Sequence, residues 1–402
     1  MAQQIVVIGT GTAGTALARA LAASEHAEVT LIGEEPHAPY NRVLLAEVLA
    51  GRYAPEVIAL PSPGRIHHTR ATRIDRAAKQ VHTADGATLT YDRLVLATGS
   101  NPVLPPLRGM SPRAGLPDGV HAFRTMDDCL ALNEAVAKDT RAVVIGGGLL
   151  GVSAARALAQ RGAQVVLAQQ GERLMERQLD PTASALVRRH LTALGVEVHT
   201  ECRVRGLGTT DDRVRRVELA DGYSLGADVV VIACGVRPRI TLAQEAGLDV
   251  RRGIVVDDEL RTSDPYVHAI GDCAEHAGRT YGLATPALEQ AATLAELLTQ
   301  PESKQRYTGT RTLTRLTLNG TGPLDLATFG DPDPLPGDDV VRLADATRGT
   351  YRKVVVREDR LVGGVLLGEL ATVGALARAW EADEELPQAP LLHLLTNDGG
   401  PA

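Results

Sequence analysis

Residues 5–14 read Ile5-Val6-Val7-Ile8-Gly9-Thr10-Gly11-Thr12-Ala13-Gly14, and the fold follows from how they are read. Four isoleucines and valines predict a short buried strand that stops at Gly9. The alanine-rich stretch 15–23 predicts a helix and residues 28–32 a second strand, which together make a βαβ unit. In such a unit Gly9 permits the tight turn, Gly11 lets the backbone approach a pyrophosphate, and Gly14 lets helix and strand pack closely. Thr12 and Ala13 lie in the same turn, where the free N–H groups of a helix start attract an anion. Glu34 stands 20 residues beyond Gly14, just past the second strand, where a carboxylate accepts hydrogen bonds from ribose hydroxyls.

The pattern recurs downstream. Residues 142–145 predict a strand, Gly146-Gly147-Gly148-Leu149-Leu150-Gly151 follow, and a helix over 152–160 and a strand over 164–168 complete the unit. Gly146, Gly148 and Gly151 take the three glycine positions. Two dinucleotide sites in one chain suggest a flavin and a nicotinamide exchanging a hydride, with FAD at the first site and NADH or NADPH at the second. Aligning Val29 with Val165 sets Gln170 opposite Glu34. An amide can bond a ribose hydroxyl but lacks the charge that strengthens the bond.

Composition bounds the alternatives. A chain of 402 residues needs more than one core, and 44% hydrophobic with 23% charged residues is globular. The net charge of −7, with scattered basic residues, argues against a groove that tracks nucleic-acid phosphates. No apolar run approaches the roughly 20 residues of a membrane span, and the N-terminus lacks a basic leader, so a cytoplasmic location is expected. Cys129, Cys202, Cys234 and Cys273 stand far apart without a CxxC spacing. They are expected to be small buried hydrophobes, neither a redox disulfide nor a metal site.

Further stretches resemble the FAD-dependent pyridine nucleotide-disulphide oxidoreductases. Residues 91–99, ending Ala97-Thr98-Gly99, resemble the strand and turn where such chains leave the FAD domain, and Ala269-Ile270-Gly271-Asp272 resembles the motif that returns to it. Within that superfamily the similarity is to the FAD-containing part of assimilatory NAD(P)H nitrite reductases and to rubredoxin and ferredoxin reductases. It is carried by Gly33-Glu34-Glu35-Pro36-His37 with Tyr40-Asn41-Arg42, and by residues 123–128, 174–180, 281–283 and 289–291. The resemblance implies that Asp272, after Gly271, binds the FAD ribityl chain and that Thr98 and Gly99 lie beside the cofactor. It also implies that Arg42 lies near the diphosphate and that the Glu289 region opens a helix close to the isoalloxazine. There are departures. Ser153 stands where relatives carry a glutamate near the nicotinamide, and Leu45-Ala46-Glu47 stands where the ferredoxin-reductase branch has a lysine. Glu47 is expected to be solvated. No cysteine cluster is present to ligate an iron–sulfur group, so this chain is not expected to reduce nitrite alone.

The expected fold class is α/β, with two Rossmann-like dinucleotide-binding domains, the NAD(P) domain inserted in the FAD domain, plus a small C-terminal α+β domain. Residues 1–112 form the first FAD segment, 113–239 the inserted domain, 240–305 the returning FAD segment and 306–402 an interface-like domain. In that tail, 313–318, 324–329, 351–357 and 361–367 predict strands, the last two joined through Glu358-Asp359-Arg360 in a hairpin, 331–339 a loop, and 396–402 a disordered end. The implied activity is an FAD-dependent oxidoreductase passing hydride from NAD(P)H through flavin to a separate electron-acceptor protein or small-molecule substrate. No nucleic acid or membrane is expected as a partner, and a homodimer is left open. Two other readings stand beside it: a flavin-dependent oxidase or dehydrogenase with a degenerate NAD(P) site, and a redox-sensing binding module.

Overall fold

The computed structural model describes all residues except 1, 62–63, 111–114, 301, 321, 346, 387–391, 393–394 and 396–402. The expected disordered end and the proposed boundary near 112 therefore lie outside the described residues. Strand Gln3–Ile8 sits at the centre of a five-stranded parallel sheet, between Ala27–Gly33 and Arg93–Leu96. Arg65–His68 extends one side and Val267–Ala269 the other. A strand inside such a sheet is covered on both faces, so its sequence reads as an unbroken apolar run. Ile5, Val6, Val7 and Ile8 are all buried accordingly.

The second unit repeats this plan. Arg141–Ile145 lies between Gln164–Ala168 and Val229–Ile232, with Glu197–His199 and Val120–Ala122 at the edges of a second parallel sheet. The registers superpose: Ile5 pairs with Val29 as Ala142 pairs with Val165. The first sheet is closed by a strand from beyond the second unit, so the second is an insertion in the first. Each unit also carries a three-stranded antiparallel meander that the sequence reading did not separate out, Ala71–Asp75 to Thr88–Thr90 and Val204–Thr210 to Ser224–Gly226.

The tail is a five-stranded antiparallel sheet, ordered Leu313–Leu318, Leu324–Gly330, Arg360–Leu367, Thr350–Arg357, Asp339–Asp345. Helix Val373–Ala382 packs on it, with the Phe329 and Trp380 ring centroids 5.3 Å apart. The expected hairpin is present with a tighter turn, in which Glu358 and Asp359 both have positive φ (48° and 59°), as a two-residue type I′ turn requires. The expected loop 331–339 gives way at its last residue to strand Asp339–Asp345. It is an edge strand with one neighbour, in which Leu343 is left exposed and the charged Asp339, Arg342 and Asp345 mark the edge.

Candidate functional site

Both helices begin earlier than their apolar periodicity suggests, at Thr12 (Thr12–Leu21) and at Leu149 (Leu149–Gln160), because the glycine turns feed directly into them. The N-caps, Gly11 and Gly148, carry no side-chain cap. The first-turn N–H groups are left for a ligand, which is how a helix start receives a phosphate. Gly9 holds φ at +123°, and a Cβ on Gly14 would collide with the Gly9 carbonyl oxygen. Gly146 and Gly151 repeat the relation. Gly11 and Gly148, in contrast, face open space. The cradle is thus closed against side chains on the protein side and open on the other, which fits a dinucleotide.

Around the first turn the fold gathers residues from distant segments. Gly271 packs against Ala13, and its N–H donates to Gln290 Oε1 (2.7 Å). Gln290 is fully buried on helix Ala284–Thr299, so the late Gly-Asp motif is pinned between that helix and the first one. Asp272 Oδ2 accepts from Arg124 Nη2 (2.6 Å) and from the Ser100 hydroxyl (2.8 Å). Arg42 donates Nη1 to the Arg124 carbonyl (2.6 Å) and Nη2 to Glu35 Oε1 (2.7 Å). The Tyr40 hydroxyl donates to the other Glu35 oxygen (2.6 Å) and accepts from the Met126 N–H (2.9 Å). Burial by itself would raise the Glu35 carboxyl, but Arg42 and Tyr40 outweigh it and hold the group below its usual value. Burial lowers the Arg124 guanidinium against the pull of Asp272.

Arg124 and Ser100 are site residues that sequence reasoning did not assign. The stretch 123–128 carries part of the family resemblance, but only the fold puts Arg124 on Asp272. Thr98 donates its hydroxyl to the Arg239 carbonyl (2.8 Å), and Gly99 accepts the Arg239 N–H (2.9 Å). Glu34 Oε2 accepts from Arg239 Nη1 (2.7 Å). Glu289 lies on the exposed side of helix Ala284–Thr299 and accepts from the Thr310 hydroxyl, while its neighbour Gln290 faces the motif.

The second site is less charged. Gln170 does stand opposite Glu34 by register, and it is exposed. The amide turned onto the glycines is that of Gln169, whose Oε1 accepts from the Gly147 N–H (2.7 Å). Ser153 is buried and spends its hydroxyl on the Leu149 carbonyl (2.8 Å). No carboxylate bonds the glycine turn among the described residues.

Two expectations need correction. Glu47 is not solvated: its side chain is 14% exposed and accepts from Arg156 Nη2 at 2.6 Å, with Arg156 at 1%. The apolar helix Leu149–Gln160 carries that arginine into the core, where the Glu47 carboxylate from helix Leu45–Leu49 pairs with it and Gln160 Oε1 accepts from Nη1 at 2.8 Å. The cysteines are not uniformly buried either. Cys129 and Cys273 are buried, Cys202 is intermediate, and Cys234, two residues past strand Val229–Ile232 and beside the Gly146 turn, is exposed. Burial pushes the Cys129 thiol up to about 12. All four are free thiols. Among the described residues no group of three or more His, Cys, Asp or Glu could hold a metal, and no helix is long and apolar enough to cross a membrane.

Comparison with known proteins agrees with this architecture. Residues 3–291 match the family described as pyridine nucleotide-disulphide oxidoreductase, and residues 316–382 match the rubredoxin NAD+ reductase C-terminal domain. The chain is 35% identical over 403 residues to the nitrite reductase [NAD(P)H] of Bacillus subtilis, covering 98% of this chain and 49% of that protein. It is 34% identical over 312 residues to putidaredoxin reductase of Pseudomonas putida, covering 73% and 74%. The structure of a covalent putidaredoxin reductase–putidaredoxin complex superposes with a TM-score of 0.85 at 27% identity, covering 95% of this chain and 94% of that one. The chain spans about half the length or less of the nitrite-reductase relatives it matches. With two glycine cradles, an inserted second unit and this similarity along its length, the chain belongs to the pyridine nucleotide-disulphide oxidoreductase family, whose members are NAD(P)H-dependent flavoprotein oxidoreductases that bind FAD.

Proposed function

We propose that this chain is the flavin-bearing electron-transfer unit of an NAD(P)H-dependent oxidoreductase that delivers electrons to a separate acceptor, a redox protein or a further domain. The observation that carries this is the meeting of the first glycine turn, Arg42, Arg124 and Gly271-Asp272 at one place, from four separate segments of the chain. Gly11 and the uncapped turn at Thr12 and Ala13 would receive the FAD diphosphate, with Gly9 and Gly14 shaping the cradle and Arg42 and Arg124 supplying fixed cationic donors. Asp272 would accept from a ribityl hydroxyl, and Glu34 from the adenosine ribose. Thr98 and Gly99 would line the same pocket and Glu289 its far rim. Gly146, Gly148 and Gly151 would hold the nicotinamide nucleotide, with the amides of Gln169 and Gln170 toward its ribose. The bound flavin supplies the redox chemistry: it accepts a hydride and can release electrons singly. The protein would position both cofactors.

The domain organisation that fits is 1–112 and 240–305 as the two FAD segments, 113–239 as the inserted unit and 306–402 as the tail. Relatives named for putidaredoxin and rhodocoxin reduction support a protein acceptor. Anaerobic mixing of the FAD-loaded protein with NADH, and separately with NADPH, is expected to bleach the flavin band near roughly 450 nm. Failure of both donors removes the reductase reading. The neutral residues Gln169, Gln170 and Ser153 favour one alternative, an oxidase taking hydride from an organic substrate. Oxygen uptake with such a substrate in the absence of NAD(P)H would select it.

A further inference from the structure

Glu34 marks the ribose end of the first dinucleotide site, yet its carboxylate is already engaged by a residue that neither glycine motif contains. Arg239 follows strand Val236–Pro238, which pairs with Ser100–Pro102. It reaches Glu34 across 205 residues of sequence to place Nη1 2.7 Å from Oε2. Three contacts aim it there. Its N–H donates to Gly99 O (2.9 Å), its carbonyl accepts the Thr98 hydroxyl (2.8 Å), and its Nε donates to Asn101 Oδ1 (2.8 Å). The two side chains are 41% and 48% exposed, so the ion pair by itself contributes little stability. What the contacts provide is a guanidinium held still beside the acid that reads a ribose.

We infer that Arg239 is a binding residue for the adenosine end of FAD. It fixes one Glu34 oxygen and so presents the other to the ribose hydroxyls, and its planar cation offers a face on which a purine can stack. Because the side chain is ordered before the ligand arrives, little rotamer freedom is lost on binding. The inference rests on the flavoprotein reading above.

The test uses the full chain stripped of flavin, titrated with FAD and followed by quenching of flavin fluorescence. Arg239→Ala is expected to raise the FAD Kd about tenfold, the effect of one charged contact with a preorganised partner. Arg239→Lys, which keeps the charge but loses the fork and the flat face, should fall between the variant and the wild type. ADP carries the adenosine half alone, and as a competitor of FAD it should weaken by the same factor. An Arg239→Ala Kd within roughly twofold of wild type overturns the inference, since that is far below the effect of such a contact. So does a loss of FAD affinity with ADP competition unchanged. If the wild-type chain takes up no FAD, the flavoprotein reading fails first and takes the inference with it. Far-UV circular dichroism and melting should be unchanged in Arg239→Ala, as an exposed pair allows.

Discussion

His268 shows how burial sets the behaviour of one residue. It lies in strand Val267–Ala269, 5% exposed, and burial holds its imidazole down to about 4. The unfolded chain takes up a proton near the ordinary value of about 6.5, which the folded chain refuses. Stability should therefore be full above about pH 6.5 and fall as pH drops toward about 4, by on the order of 3 kcal/mol at most. Urea unfolding across that range should show the loss, and His268→Leu should flatten this part of the profile. A slope unchanged in the variant would assign it to other groups. His268 has no signature in the sequence, because a histidine in an apolar strand looks the same whether its ring is buried or snorkels to water.

At the scale of the element, the two ends of the first glycine turn are separable. Gly14 touches the Gly9 carbonyl, whereas Gly11 faces open space. Gly14→Ala should destabilise the fold by about 1–3 kcal/mol, as overpacking does. Gly11→Ala should melt as the wild type does while binding FAD at least roughly tenfold more weakly, because its methyl stands where the backbone must approach the ligand. Thermal melts of the apo-proteins set beside FAD titrations check both, and equal melting of the two variants would refute the distinction. The packing role of Gly14 was legible in the spacing of the glycines. The helix starts were not, since apolar periodicity reports only the residues that face the core.

For the whole molecule, the tail is locked onto the inserted unit by a buried cluster. Lys353 Nζ lies 3.1 Å from Asp180 Oδ2, and the Tyr351 hydroxyl donates to that oxygen at 2.7 Å. Asp180 also caps helix Pro181–Ala193 through the Ala183 N–H. The apolar residues around it, among them Leu318, Leu326, Val365 and Leu367, belong to one core with the second unit. Lys353→Met removes the cation and leaves a buried carboxylate, which should cost about 3–5 kcal/mol. Chemical denaturation would measure this. Lys353→Met combined with Asp180→Asn should recover part of the loss, and no recovery would mean that the two residues are not coupled.

The sequence by itself determined the two βαβ units, their glycine turns, the α/β class and the small α+β tail with its hairpin, because these depend on local periodicity and on backbone positions only glycine fills. It also named Glu34, Arg42 and Asp272 by motif and resemblance. Tertiary structure alone decided which residues meet. It set Arg124 on Asp272 and Arg239 on Glu34, turned Gln169 rather than Gln170 onto the second glycine turn, and buried Glu47 against Arg156. Such pairs are fixed by sheet order and by the return of the chain to its first sheet. A side chain's partner lies a hundred residues or more away in three of those cases, beyond what any local pattern encodes.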